Sequence, residues 1–391
     1  MIALLLAPFF LALQTYVVIS ASRSINKTDI KGKEILKYVF ALFMYSGILS
    51  IAVGFLLPGY VPAKRAFMLY GNNWLGSILY FYIAYAACAI VHLILKRTKK
   101  DSKCFVYASI IFIMLFTLSM GIYGLHKENT IEVKNYAVKI DKDSKLDELE
   151  IAMVSDLHIG YNVSTTKIQR IVDGINELEP DVVLIAGDIF DNEFEAVDDP
   201  EVMAQILKGI DSRYGTYAVL GNHDIEEKIL VGFTFNWFQK DHVVKASDGM
   251  LEMLEKADIR LLYDDFITIE DIQIYGRPDY ERPNLGNTER LSCQEFMAKV
   301  DAEKPMIVVD HEPRELEECS KCSIDLHLSG HTHNGQLWPG TISINWIWDN
   351  PYGMKRYGDM TSIVTSGVGV FGPNMRTDSI CEIVDIKVDF R

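Results

Sequence analysis

Four long stretches of this chain carry no charged side chain, and they cover residues 1–22, 38–63, 66–95 and 104–125. About 20 apolar residues span the hydrocarbon layer of a bilayer, where only a helix satisfies its own backbone polar groups. The sequence therefore predicts an all-α transmembrane domain over residues 1–125, with helices near 2–20, 38–57, 74–95 and 104–125. The first stretch is not typical of a cleaved signal, because its basic residues, Arg23 and Lys27, follow the apolar run.

The distribution of lysine and arginine predicts the orientation of these helices. The first and third connecting loops each hold five basic residues, whereas the second holds only Lys64 and Arg65. Loops rich in lysine and arginine stay in the cytoplasm. We therefore expect a multi-pass protein of the cell membrane, with both termini and everything after residue 125 on the outer face.

Charge separates the two parts of the chain. Residues 1–130 hold 13 Lys and Arg against four Asp and Glu, so they carry +9, and the remainder carries −24 of the total of −15. An acidic domain repels long polyanions. We therefore expect no nucleic-acid partner, although small nucleotides are not excluded.

The pattern changes to α/β after the membrane part. Residues 126–147 are interpreted as a connecting segment, in which alternation of apolar side chains over 131–140 predicts an edge strand paired in a hairpin. Buried runs at 151–155, 182–186 and 216–220 are separated by helical patterns, and such βαβ units predict a parallel sheet. Further elements are expected as helices at 249–257, 288–300 and 313–318, and as strands at 259–263, 272–275, 306–309, 324–328, 362–365 and 380–388.

Polar side chains follow five of these strands where each strand ends. The carboxyl ends of parallel strands meet at one edge of a sheet, where ligand sites of α/β proteins lie. Taken alone, any one of the histidines fits a structural role, but buried polar groups are costly, and folding alone does not require them to collect at strand ends. The candidate metal ligands are Asp156, His158, Asp188, Asn222, His311, His331 and His333.

Carboxylate, imidazole and amide oxygen without thiolate suit Mn²⁺, Fe²⁺ or Zn²⁺. Seven ligands are too many for one such ion, whereas two divalent metal ions sharing a bridging carboxylate use them all. Two ions about 4 Å apart generate hydroxide from a bridging water and act as Lewis acids on phosphoryl oxygens. The set therefore indicates hydrolysis of a phosphate ester, with His223 placed to protonate the leaving oxygen and Asp224 to orient it.

The order of these motifs resembles the signature of the calcineurin-like metallophosphoesterases over residues 148–391, which we interpret as the catalytic domain. The motifs are Asp156-x-His158, Gly187-Asp188-x-x-Asp191, Gly221-Asn222-His223-Asp224, a lone His311 and Gly330-His331-x-His333.

The resemblance implies a two-sheet sandwich flanked by helices, with Asp188 bridging two ions. It also implies a supporting role for Asp191. The ligand sets would be Asp156, His158, Asp188 and His333 for one ion and Asp188, Asn222, His311 and His331 for the other.

The region around His331 is further similar to a membrane-anchored bacterial branch of this superfamily, which includes enzymes acting on lipid-linked phosphodiesters. The chain departs from that branch at Glu312, where the branch has asparagine, and at Asn334, where it has glycine. We therefore expect a membrane-anchored dimetal phosphoesterase that acts on phosphodiesters or phosphomonoesters of lipids or the cell envelope. The alternatives are a nucleotide phosphodiesterase and a non-catalytic phosphate sensor or scaffold, against which the intact His223 argues.

Other side chains are left open. Arg277, Arg314 and Arg376 each fit either a phosphate-binding role or surface solvation. The aromatic loop at 338–357 fits either a lipid-facing rim, formed by Trp338, Trp346, Ile347 and Trp348, or simple packing. Cys319 and Cys322 lack the second Cys pair of a zinc ribbon, and Cys293 and Cys381 are interpreted as isolated.

Overall fold

The computed structural model describes residues 2–57, 62–97, 103–227, 229–230, 233–234, 245–282 and 290–390. Lys99 and Lys100 of the predicted third loop, and Thr288 at the start of a predicted helix, lie outside these residues. The chain divides into two compact units, one built mainly from residues 1–126 and the other from most of the rest. Each unit is described by itself.

The first unit consists of long helices, namely α1 (Ile2–Asn26), α2 (Lys33–Leu56), α3 (Pro62–Arg97) and the greater part of α4 (Lys103–Asn129). By length and composition, α2, α3 and α4 are each able to cross a membrane. Helix α3 begins twelve residues before the predicted start, because Pro62 suits a first helical position and Lys64 is buried within the helix instead of lying in a loop. Most of the apolar surface of these helices faces outward, which suits a lipid environment.

The second unit is α/β. Its helices are α5 (Thr165–Asn176), α6 (Pro200–Leu207), α7 (Asp248–Lys256), α8 (Cys293–Met297), α9 (Leu316–Cys319) and α10 (Gly340–Ile344). The strands of the chain are β1 (Ile131–Ile140), β2 (Glu148–Val154), β3 (Val182–Ala186), β4 (Thr216–Val219), β5 (Ile229–Leu230), β6 (Phe233–Thr234), β7 (Ile259–Leu261), β8 (Asp265–Ile269), β9 (Ile272–Gly276), β10 (Met306–Val309), β11 (Leu326–Ser329), β12 (Gly353–Tyr357), β13 (Met360–Val364) and β14 (Cys381–Phe390).

Two six-stranded sheets form the core. The first has the strand order β1-β14-β2-β3-β4-β7 and the second β12-β13-β11-β10-β9-β8. Side chains from both sheets, such as Ile151 and Leu184 of the first and Ile307 and Leu328 of the second, belong to one buried apolar cluster. Helices α5, α6 and α7 cover the outer face of the first sheet, and α8 and α9 that of the second. The expected two-sheet sandwich flanked by helices is therefore confirmed.

The strand at Ile131–Ile140 is an edge strand, but its expected hairpin pairing is wrong. Strand β1 pairs in parallel with β14, from Ile131 opposite Cys381 to Ile140 opposite Phe390. A hairpin would require an antiparallel neighbour in sequence. The local alternation of β1 fits either arrangement, so it does not identify a partner near the other end of the chain.

The isolated role expected for Cys293 is also wrong. Cys293 and Cys319 form a disulfide that joins α8 to α9. Cys322, the other half of the Cys-x-x-Cys pattern, is a free and partly exposed thiol. Cys381 is free and buried.

Candidate metal centre

The seven candidate ligands lie where strands of the two sheets end. Residues 156 and 158 follow β2, 188 follows β3, and 222 follows β4, all in the first sheet. Residue 311 follows β10, and 331 and 333 follow β11, in the second sheet. These strands run parallel within each sheet, so their carboxyl ends carry the seven side chains to one place.

One group contains Asp156, His158 and His333, whose possible ligand atoms all lie within 4.8 Å of one another. The Nε2 atoms of His158 and His333 are 3.1 Å apart. His333 Nε2 is also 3.4 Å from Asp156 Oδ1. All three residues are buried, so water does not screen these contacts as it would at the surface.

A second group contains Asp188, His311 and His331, again within 4.8 Å of one another. His311 Nε2 lies 3.1 Å from His331 Nδ1 and 3.1 Å from Asp188 Oδ2. Asn222 belongs with them, because its Oδ1 is 3.0 Å from His331 Nδ1 and 3.1 Å from His311 Nε2.

Asp188 belongs to the second group and also faces the first. Its Oδ2 is 3.1 Å from His311 Nε2 and 3.7 Å from His158 Nε2. Its other oxygen accepts a hydrogen bond from the backbone N–H of His223 at 2.8 Å. One carboxylate oxygen thus faces a histidine of each group, which is the placement that a bridging ligand needs.

The second group fits a cation. His311 Nδ1 lies 2.9 Å from the carbonyl oxygen of Ala186. Because a carbonyl oxygen only accepts, Nδ1 carries the hydrogen, and Nε2 of the neutral ring has a free lone pair. That lone pair faces a carboxylate oxygen and another ring nitrogen at hydrogen-bonding distance. Burial lowers the pKa of His311, but Asp188 outweighs burial and raises it well above its usual range. The position therefore attracts positive charge, which a divalent ion would supply in place of a proton on His311 Nε2.

The remaining imidazoles are in the form that binds metal. Burial lowers the pKa of His158 to about 3 and that of His331 to about 3, so both rings are neutral at pH 7. Burial raises the pKa of Asp156 to about 6, whereas His311 and His223 outweigh burial and hold the pKa of Asp188 well below its usual range. Asp188 is therefore the carboxylate that is ionised most securely.

Backbone strain is concentrated at this site. Five of the seven candidate ligands adopt left-handed backbone angles, with φ of 54° at Asp156, 47° at His158, 50° at Asp188, 70° at His331 and 48° at His333. For residues with a side chain such conformations cost on the order of 1–3 kcal/mol each. Strain of this size persists where the side-chain positions matter.

Two glycines lie so close to the carboxylates of Asp156 and Asp188 that neither has room for a side chain. A Cβ on Gly221 would lie 2.3 Å from Asp188 Oδ1. One on Gly330 would lie 2.5 Å from Asp156 Oδ2 and 2.0 Å from Ser155 Oγ. The backbone of the glycine motifs therefore helps to fix where the two carboxylates sit.

His223 lies at the site, and within the described part of the chain its ring does not hydrogen-bond to Asp224. His223 packs with its ring centroid 5.3 Å from that of His158 and 4.4 Å from that of Phe371. The atom that meets His223 Nδ1 is Oδ1 of Asn192. Asp224 instead accepts from the backbone N–H groups of Phe190 and Gly221, each at 2.7 Å. Asp224 thus bonds to the backbone of the loops after β3 and β4, whereas the side chain in contact with His223 Nδ1 is that of Asn192.

Asp191 lies beside His158, with Oδ1 3.8 Å from Nδ1, too long for a hydrogen bond. Burial, followed by the charge of Asp188, raises the pKa of Asp191 to about 7. Asp191 therefore lies next to a candidate ligand and not at either group of ligand atoms itself.

The structure separates the three arginines left open by the sequence. Arg277 is fully buried, and its guanidinium donates to Asp310 and Glu315. Arg376 is also fully buried, and its Nη2 donates to the carbonyl oxygens of Ser366 and Gly369 while lying 3.2 Å from His333 Nδ1. Neither arginine is available to a phosphate. No feature of the sequence indicates that Arg376 supports the loop of His333.

The side chains of the aromatic loop at 338–357 also differ in burial. Trp348 is only 8% exposed, and its ring centroid is 5.1 Å from that of His331. Trp346 and Ile347 are exposed by 82% and 63%. Trp348 therefore forms part of the wall of the site and is not part of an outward-facing rim.

A two-sheet sandwich with candidate metal ligands at its strand ends is thus the frame of this site. Residues 149–335 match the family model described as calcineurin-like phosphoesterase.

Relatives extend the likeness beyond this domain. The chain is 28% identical over 323 residues to a "transmembrane protein with metallophosphoesterase domain" of Danio rerio, covering 79% of this chain and 70% of the relative. It is 26% identical over 385 residues to an uncharacterized metallophosphoesterase of Campylobacter jejuni, covering 93% and 94%. It is 28% identical over 278 residues to another of Aquifex aeolicus, covering 70% and 98%. The name of the Danio rerio relative and the three apolar helices found among the described residues support association with a membrane.

Proposed function

We propose that this chain hydrolyses phosphate esters, either phosphodiesters or phosphomonoesters, with two divalent ions held at the strand ends. The observation that carries the proposal is the position of Asp188, whose Oδ2 lies 3.1 Å from a histidine of one group and 3.7 Å from a histidine of the other. The strained backbone of five candidate ligands supports it, because such strain is typical of functional sites.

The two ions would be Mn²⁺, Fe²⁺ or Zn²⁺, which share a preference for this donor set. When bound, they supply Lewis-acid activation of the phosphoryl group and a nucleophile at neutral pH. Each ion would have four protein ligands, with Asp188 common to both. The first ion would take Asp156, His158 and His333 in addition, and the second Asn222, His311 and His331.

His223 would donate a proton to the leaving oxygen. Burial lowers the pKa of His223, which makes the protonated ring a stronger acid toward that oxygen. Asn192 Oδ1 accepts the hydrogen of Nδ1 and so fixes the tautomer and the ring orientation. The backbone N–H of His223 bonded to Asp188 ties the proton donor to the bridging carboxylate.

The domain organisation belongs to the same proposal. Residues 1–125 would be a four-helix transmembrane anchor, 126–147 a connecting segment and 148–391 the phosphoesterase domain on the outer face of the cell membrane. Protease or a membrane-impermeant thiol label applied to intact cells should reach the domain. Complete protection of the domain would refute this orientation.

The substrate would be a lipid or cell-envelope phosphate ester. The tether confines the domain to the surface of the bilayer, and Trp346 and Ile347 expose apolar surface in the loop beside Trp348. Replacing Trp346 with Ala should depress turnover of a lipid phosphodiester far more than that of a soluble chromogenic ester. Equal losses on both substrates would count against a lipid-facing role for this loop.

The test is activity of the detergent-purified full chain against lipid phosphates, sugar nucleotides and aryl phosphates with Mn²⁺, Fe²⁺ and Zn²⁺. Asp188→Asn, Asn222→Ala and His223→Ala should each lower turnover severely, the first two with loss of metal. Preference for nucleotides would favour a nucleotide phosphodiesterase. A wild-type protein that binds phosphate but is inert toward every ester would instead favour a sensor or scaffold.

A further inference from the structure

Arg314 is the one of the three candidate arginines whose side chain is open to solvent. Its side chain is 35% exposed, whereas those of Arg277 and Arg376 are fully buried. It lies three residues after His311, on the same loop after β10. Arg314 is therefore the one of the three that a ligand from solvent can reach without rearrangement of the core.

The guanidinium of Arg314 is held on two sides. Its Nε donates to Oε2 of Glu312 at 3.0 Å, and the Glu312 side chain is fully buried. Its Cζ lies 4.2 Å from the ring centroid of Trp348, a stacking distance for a cation on an aromatic face. Because both contacts restrict the same planar group, little conformational freedom remains to be lost when a ligand binds.

Trp348 also connects Arg314 to the metal centre. The Trp348 ring packs edge-on against His331, with centroids 5.1 Å apart. Burial and His311 are the main reasons that the pKa of His331 is lowered, and the positive charge of Arg314 adds to them. One aromatic ring therefore separates the guanidinium from a candidate metal ligand.

Donors of Arg314 remain available. Within the described part of the chain, its side-chain hydrogen bond is the one from Nε to Glu312. The second carboxylate beside it, Glu281, has Oε1 3.9 Å from Nη2, beyond hydrogen-bonding distance. Two terminal nitrogens in a fixed plane match the paired oxygens of a carboxylate or phosphate.

We propose that Arg314 binds a second oxyanion of the substrate, a phosphate or a carboxylate, while the scissile phosphate lies at the metal centre. This inference rests on the phosphoesterase function proposed above. It makes Arg314 a specificity residue that selects esters carrying an additional negative group. Glu312 and Trp348 are positioning residues, because they hold the guanidinium and do not touch that group.

The experiment compares three 4-nitrophenyl propyl phosphodiesters whose third carbon carries a hydroxyl, a carboxylate or a phosphonate. Wild-type kcat/KM should be higher for an anionic substrate than for the hydroxyl substrate by on the order of tenfold to a hundredfold, mainly through KM. The two anionic arms decide whether carboxylate or phosphonate is preferred. Arg314→Gln should bring the ratio close to one, and Glu312→Gln should give an intermediate ratio.

Arg213→Gln is the matched control. Arg213 loses the same charge in that variant, but it is 67% exposed and lies before β4, at the opposite end of that strand from Asn222. Its ratio should equal that of the wild type. Equal efficiency of the wild type on all three substrates, or an unchanged ratio in Arg314→Gln, would overturn this inference and leave the phosphoesterase proposal standing. Failure to hydrolyse all three with every metal would also overturn this inference, whereas the phosphoesterase proposal is decided by the panel of lipid phosphates, sugar nucleotides and aryl phosphates.

Discussion

Replacing Gly221 with alanine tests the geometry of the site without removing a functional side chain. The added Cβ would lie 2.3 Å from Asp188 Oδ1, 2.5 Å from Asp188 N and 2.8 Å from His311 Cδ2. Ordinary contacts of a carbon atom are about 3.5 Å or longer, so the Asp188 carboxylate must move by about 1 Å. Overpacking of this kind costs about 1–3 kcal/mol of stability. A misplacement of 1 Å at a catalytic centre costs about a hundredfold in rate.

The assay for Gly221→Ala is turnover of a chromogenic ester, combined with metal titration and thermal unfolding of the same sample. Gly174→Ala is the control. Gly174 lies in helix α5, and its added Cβ would meet the flexible end of the Ile383 side chain at 2.9 Å. The control should keep wild-type turnover. If Gly221→Ala retains full turnover and metal affinity, the described contact between Gly221 and Asp188 does not fix the carboxylate, and the reasoning fails.

Three further predictions concern the partner of His223, metal binding and a buried ion pair. Asn192→Ala should lower turnover of alkyl esters about tenfold or more, because their leaving oxygen needs a proton from His223. Turnover of 4-nitrophenyl esters should fall much less, because nitrophenolate leaves without a proton. Equal losses on both kinds of ester would contradict the role given to His223. Chelation should lower the unfolding temperature, since ions present at about 1,000 times their Kd add about 4 kcal/mol, and an unchanged midpoint would argue against binding. Asp310→Asn should destabilise the fold by about 3–5 kcal/mol at pH 7, measured by urea unfolding, because Asp310 pairs with both Arg277 and Arg290 and its loss leaves Glu315 to pair with the two buried guanidiniums. Burial raises the pKa of Asp310, but Arg290 and Arg277 outweigh burial and hold that pKa far below its usual range. The stabilisation by Asp310 is therefore complete above the pKa of the unfolded state, about 3.9, and is lost as the pH falls below that value. The difference between wild type and Asp310→Asn should therefore shrink on acidification, and growth of the difference would be the wrong sign.

The central strands could be predicted from local pattern, whereas their arrangement in a two-sheet sandwich was implied by the resemblance to a known superfamily. Val182–Ala186 and Met306–Val309 are short and entirely apolar, as expected for parallel strands covered on both faces. Helix α5 could be placed from Ser164, whose side chain accepts from Lys167 N, and from its apolar face. The peripheral strands were harder, because β8 and β12 are short and partly exposed and give only a weak pattern.

Contacts between distant segments could not be predicted. Nothing in the spacing of six cysteines indicates that Cys293 pairs with Cys319, because connectivity is set by the fold. For the same reason, proximity in sequence suggested Asp224 as the partner of His223, whereas Asn192 approaches from the loop after β3. The left-handed backbone at Asp156 and Asp188 is likewise imposed by tertiary structure, since local propensity disfavours it.

The central claim is that one aspartate joins two metal sites, and metal stoichiometry tests it most directly. Mn²⁺ titration of the metal-free full chain should reach two ions per chain in the wild type, with metal analysis of the saturated sample giving the same number. Asp188→Asn, which keeps the shape of the side chain but loses its charge, should weaken both sites together. Two ions bound as tightly by Asp188→Asn as by the wild type, or no ion bound by the wild type, would contradict the account.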